Sequence, residues 1–224
     1  VPFEAIDKVY FIDSLKGNDN NDGLTANTAF KTWAKVESLI PIFVNHLIQI
    51  RVIGNLSGVF LHGRHGTNRI EIVGHTEDKN NHHLSFASNI PFMSLAGTSN
   101  SSAATFLMID HFTITNDEFR IHGCNAVLLR NVTFKKVAFY ESTGYLYQYE
   151  CGGDGDGVLA SVNSRVMSYN GNGTVQGYGL RADYGSLISK RGTQPSGISG
   201  NEVAWYGGII TGEGGTLLNS SSVN

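Results

Sequence analysis

Charge is scarce in this chain. Only 16% of its 224 residues are Asp, Glu, Lys or Arg, well under the usual quarter. Sixteen Lys and Arg against nineteen Asp and Glu leave a formal net charge of −3. That balance offers no basic field to a nucleic acid. Proline stops at four and cysteine at two. A small secreted domain held by disulfides would carry more cysteine. Cys124 and Cys151 are therefore read as buried, unbridged thiols that pack as small hydrophobes, and no metal-ligand spacing surrounds them. No run of eighteen apolar residues is present, so no membrane-spanning helix is expected. The chain starts at Val1 without an initiator Met or a signal peptide, as an excised or processed chain would. What it does have is glycine, 27 of them, with frequent Asn and Ser. That is a composition for many turns between short strands.

The turns recur. QIRVIG at 49–54 returns as RIEIVG at 69–74, aligning Ile50 with Ile70, Val52 with Ile72 and Gly54 with Gly74. His111–Ile114 (HFTI) and Asn131–Phe134 (NVTF) are again twenty apart. DYGSLISKRG, from Asp183, returns twenty-two residues later as WYGGIITGEG, from Trp205. Val166, Leu187 and Ile209 align at spacings of twenty-one and twenty-two. Short β-branched strands at this period imply stacked coils, each burying its apolar face on the next. Strands are expected over 47–53, 68–73, 105–114 and 126–134, with outward loops over 77–83 and 96–104. The aromatic stretch 137–149 breaks the count and reads as an extra turn or a protruding hairpin.

Before the coils, VYFI at 9–12 predicts a strand and 13–25 a turn-rich loop. TAFKTWAKVESLI, Thr28–Ile40, has helical periodicity. Phe30, Trp33, Val36 and Ile40 share a face, Thr28 or Thr32 can cap it, and Pro41 stops it. Such a helix would close the open end of a β-stack. The fold expected is all-β: a right-handed parallel β-helix (β-solenoid) with a short N-terminal capping helix. Its parts are the strand, loop and cap at 1–46, coils with outward loops at 47–151, and Gly-rich C-terminal units at 152–224.

Residues 9–32, VYFIDSLKGNDNNDGLTANTAFKT, followed by the helix and LIQIRVIGNLSG, resemble the start of pectate-lyase-like right-handed β-helix proteins. Gly17, Asp19, Asp22, Gly23, Phe30 and Thr32 carry that likeness. GLRADYGSLISKRG and NEVAWYGGIITGEGG resemble the C-terminal repeats of bacteriophage tail fibres and tailspikes. The resemblance implies a homotrimer with the Gly-rich units near its axis. It also implies recognition of a bacterial surface polysaccharide during host adsorption, sometimes with its cleavage. The implied location is a virion tail, or alternatively the outside of a bacterium that secretes the chain. No cofactor is required.

Several residues could carry chemistry. Tyr145, Tyr147 and Tyr149 alternate, so one strand would put all three rings on one face. Flat rings with hydroxyl tips suit sugars, although they could equally pack on a neighbouring turn. Asp154 and Asp156 lie in GGDGDG at 152–157. They could be the paired carboxylates of glycoside hydrolysis, Ca²⁺ ligands without an EF-hand pattern, or a solvated turn. Arg165 and Arg181, with Asp183, lie in successive units and could meet on one flank as the basic and acidic groups of an eliminating enzyme. Trp205, in the place of Asp183 one unit on, suits a sugar or an interface if exposed and the core if buried. Asp19 and Asp22 are expected to organise the N-terminal loop, with cation binding as the alternative. The histidines at 62, 65, 75, 82 and 83 read as surface residues. A polysaccharide lyase or hydrolase and an unliganded shaft segment remain competing readings, because a fold does not fix a function.

Overall fold

The computed structural model describes residues 6–61, 64–86, 106–124 and 126–212, and the backbone of 217–220. The chain is all-β, with long parallel sheets compatible with a parallel β-solenoid. One sheet stacks Lys8–Asp13, Ile48–Ile53, Arg69–Gly74, Phe106–Ile114 and Val127–Phe134 in parallel. It continues through Thr143–Tyr147, Arg165–Tyr169, Leu187–Arg191 and Ile209–Thr211. A second sheet stacks Phe119–His122, Val137–Tyr140, Val158–Ser161, Tyr178–Ala182 and Gly200–Ala204. A third run of parallel pairs joins the end of Val127–Phe134 to Glu150–Cys151, Asn172–Val175 and Ser196–Gly197. The stretch 137–149 is thus an extra coil, with one strand in the second sheet and one in the first. The loop expected at 96–104 lies outside the described residues.

The core lies between the sheets and is built by register. Ile48, Ile70, Leu107 and Val127 stack through successive coils, as do Ile50, Ile72, Ile109, Leu129 and Leu146. All are buried. Toward the C-terminus the second column turns polar, first at Ser168 and then at Lys190, whose ammonium pairs with Glu202. Cys124 and Cys151 are both buried and unbridged. Burial pushes the Cys151 thiol up to about 12, so it stays protonated at neutral pH.

Two registers differ from the repeat read in the sequence. Ile48 pairs with Ile70 and Ile50 with Ile72, an offset of twenty-two rather than twenty. A two-residue shift keeps the same side chains facing inward, so the apolar pattern does not distinguish the two registers. Val166 stacks on Ile188, and Leu187 on Arg165. The twenty-one-residue alignment of Val166 with Leu187 would reverse the faces. The twenty-residue match of HFTI with NVTF holds, as does the stacking of Leu187 on Ile209.

Sharp bends divide the first run of parallel pairs from the third. His111, Asn131, Gln148 and Asn170 have φ of 61°, 50°, 52° and 51°, the left-handed region that turns a strand abruptly. Below the second sheet, buried Ser142, Ser164 and Ser186 form a ladder at another corner. The amide of Cys124 donates to Ser142 Oγ at 3.0 Å, that of Ser142 to Ser164 Oγ at 3.2 Å, and that of Ser164 to Ser186 Oγ at 3.0 Å.

The N-terminal cap is shorter than the periodicity predicts. A 3₁₀ turn occupies Ala26–Thr28, and the α-helix runs only over Trp33–Leu39. Phe30 is extended between them, because its N–H is taken by Phe11 O at 2.9 Å and its carbonyl by the Asp13 N–H at 2.8 Å. Thr32 is the N-cap. Trp33, Val36 and Ile40 are buried as expected, and Trp33 Nε1 donates to Phe60 O at 2.7 Å. Gly23 sits at φ +68° against the Phe30 ring, where a Cβ would come within 2.1 Å of it.

Candidate binding groove

The outer face of the first sheet carries the site. Strand alternation sends one residue in two outward, and register aligns these residues into two columns. One column runs Gln49, Glu71, Met108, Leu128, Tyr145, Met167. The other runs Arg51, Val73, Asp110, Arg130, Tyr147, Tyr169. Two adjoining depressions lie along them. The first, of about 350 Å³, is lined by Gln49, Arg69, Glu71, Met108, Asp110 and Arg130, among others. The second, of about 480 Å³, is lined mainly by Tyr145, Tyr147, Tyr169, Leu128 and Phe106. Phe106, Leu128 and Arg130 belong to both, so the two form one groove crossing several coils.

In the polar half, each carboxylate is buried and each guanidinium half-exposed. Glu71 Oε1 accepts from Arg69 Nε, and its Oε2 from Gln49 Nε2 at 2.7 Å. Asp110 Oδ2 accepts from Arg130 Nε at 3.1 Å and Nη2 at 2.5 Å. Asp110 Oδ1 accepts from Asn131 Nδ2 at 3.0 Å and lies 3.1 Å from His111 Nδ1. The carboxylate side chains are 6% and 2% exposed, against 52% and 42% for Arg69 and Arg130. Both acids are held from within, and the guanidinium groups are the more exposed partners of each pair. In the apolar half, the Tyr147 and Tyr169 rings lie 6.5 Å apart at 50°, and Tyr147 is exposed.

The three alternating tyrosines do not share a face. Gln148, at φ 52°, breaks the strand after Tyr147 and turns Tyr149 inward. Tyr149 is buried, stacks on Phe134 at 5.5 Å, and meets Ser168 Oγ at 2.7 Å through its hydroxyl. Tyr149 is therefore a core residue, while Tyr145 and Tyr147 line the groove.

No family model, curated protein or solved structure matches this chain. The reading of the site therefore rests on its own geometry.

Asp156, Arg181, Asp183 and Trp205 gather elsewhere, beside the second sheet, while Arg165 lies apart on the first. Arg181 Nη1 pairs with Asp156 Oδ2 at 3.0 Å and Nη2 with Asp183 Oδ2 at 2.7 Å. The guanidinium lies 4.2 Å from the centre of the Trp205 ring, and Tyr178 meets that ring edge-on. Burial works against the Arg181 charge, but hydrogen bonds to Asp183 and Asp156 outweigh it, and its pKa rises. This cluster sets one guanidinium against two carboxylates, and Arg181 covers one face of Trp205. Asp154 is exposed outside it. Asp19 and Asp22 serve the N-terminal loop. Asp19 accepts from the amides of Lys31 at 2.8 Å and Thr32 at 2.9 Å, and from the Thr32 hydroxyl at 2.7 Å. Asp22 accepts from the Leu24 amide at 3.0 Å and the Thr28 hydroxyl at 2.6 Å. Among the described residues, no three His, Cys, Asp or Glu side chains group to hold a metal. His75 and His83 are exposed as expected, but His82 is buried; His62 and the His65 side chain lie outside the described residues.

Sequence reading missed Glu71, Asp110, Arg130 and Tyr169. The signal was present: the twenty-residue match of HFTI to NVTF already sets Asp110 beside Arg130. That alignment puts opposite charges at matched coil positions.

Proposed function

We propose that this chain is a glycan-binding domain of a bacteriophage tail fibre or tailspike, built as a right-handed parallel β-helix and working as a homotrimer at the surface of a bacterium. The observation that carries the binding reading is the groove. It combines tyrosine rings, that of Tyr147 exposed, with oriented guanidinium groups over several coils. An extended chain of sugars fits such a surface, ring faces on the tyrosines and polar edges on the arginines. The phage setting rests on the sequence resemblance. A trimer multiplies weak contacts into avidity, and exposed Ile198, Tyr184 and Tyr206 supply apolar surface that association would cover. Many C-terminal glycines serve packing within the chain instead: a Cβ on Gly179 would stand 2.1 Å from Pro195 O.

The test is adsorption of the labelled protein to a panel of bacteria, competed by the polysaccharide extracted from each strain it binds. The expected result is saturable binding that the extract displaces and that Tyr147→Ala loses. Binding to no strain, or binding that no polysaccharide displaces, overturns the proposal.

A second reading is polysaccharide cleavage. Its support is that two carboxylates, Glu71 and Asp110, line one depression, and glycoside hydrolysis needs such a pair. It ranks second because both carboxylates are buried and held by arginine and amide donors within the chain. Shortening of the bound polymer, abolished by Glu71→Gln or Asp110→Asn, would establish it.

A further inference from the structure

The groove's donors specify more than a sugar. Resting on the glycan reading above, we infer that the ligand is an acidic polysaccharide. Its oxyanion sits between Arg69 and Arg130, and the ring of a neighbouring sugar lies on Tyr145 and Tyr147. Arg69 spends Nε on Glu71, and Arg130 spends Nε and Nη2 on Asp110. Among the described residues, no partner takes either Nη group of Arg69 or the Nη1 of Arg130, and these face a ligand. Each buried carboxylate orients its arginine and is itself held by Gln49, or by Asn131 and His111. A planar fork held in this way fits a carboxylate or phosphate better than a hydroxyl. Both arginines line the smaller depression, and Arg130 also lines the tyrosine-rich one, so a charged sugar in the first places the next ring in the second.

The test is an array of purified bacterial surface polysaccharides. Each is spotted in its native form, after carboxyl reduction, and after removal of phosphate with hydrofluoric acid. The wild-type protein is expected to bind acidic members. Removing the anion should weaken binding roughly tenfold or more, the scale of a lost charge-assisted hydrogen bond. Whichever treatment abolishes binding identifies the oxyanion. Arg69→Gln and Arg130→Gln should repeat that loss, whereas Arg69→Lys and Arg130→Lys, which keep the charge beside Glu71 and Asp110, should lose only part of it. Added salt should weaken wild-type binding, a readout that needs no variant. Binding to the reduced and phosphate-free forms as strong as to the native acidic polymers overturns this inference and leaves the glycan reading standing. Binding to no polysaccharide overturns both.

Discussion

Tyr147 and Tyr149 stand two residues apart and serve opposite ends. One ring faces the groove and the other the core, because Gln148 takes a left-handed conformation between them. Tyr149→Ala should cost about 3–5 kcal/mol of stability, the range for an aromatic core truncation. Tyr147→Ala should change stability by no more than about 0.5 kcal/mol while removing polysaccharide binding. Denaturant titration beside a binding assay separates the two. His82 makes a second prediction at this scale. Its Nε2 accepts from the Thr76 amide at 3.1 Å, and its Nδ1 faces Gly54 O at 3.3 Å. Burial, first, holds its pKa below the usual histidine value; His75 and His111 add to this, against the Gly54 carbonyl and Asp78. The unfolded chain therefore binds a proton at a pH where folded His82 does not. Stability from this group is full above about pH 6.5, the unfolded value, and declines as pH falls toward the folded pKa. Urea midpoints measured from pH 7.5 to 5 should show that decline. His82→Gln should flatten it, and equal pH dependence in both proteins would remove His82 as its source.

At the scale of elements, the serine ladder and the N-terminal loop hold parts that hydrophobic packing does not reach. Ser164→Ala leaves the buried amide of Ser142 without its acceptor, which should cost about 1–3 kcal/mol. Thr32→Ala removes both the helix N-cap and a donor to Asp19, for about 1 kcal/mol or somewhat more. Thermal unfolding of each variant measures these losses. Strands were legible in the sequence wherever β-branched residues alternate, as in RIEIVG and NVTF. The helix was only partly so. Phe30 keeps helical spacing with Trp33, but its backbone is claimed by Phe11 and Asp13, a tertiary demand that periodicity does not show. The left-handed corners were equally hidden, since Asn, Gln and His occur at them without a fixed signature. That is why the face of Tyr149 was misread.

For the whole molecule, the repeat implied coils but left their offset open, because shifts of two residues preserve every inward side chain. The groove depends on that offset. Only with Glu71 beside Met108 and Asp110 beside Arg130 do the arginines and tyrosines align into columns. The columns were therefore partly readable from the twenty-residue matches and partly not. Assembly is tested by light scattering after size exclusion. A particle near three times 24.2 kDa is expected, and a clean monomer would count against the fibre reading while leaving the groove in place. The central claim is where the glycan lies. The most direct measurement is hydroxyl-radical footprinting by mass spectrometry, with and without a polysaccharide from a strain the protein adsorbs to. Tyr145, Tyr147, Met167 and Tyr169 should lose reactivity together, while Tyr184, Tyr206 and Trp205 keep theirs. Protection of Trp205 and Tyr206 with Tyr147 unchanged would put the ligand on the second sheet and contradict the assignment.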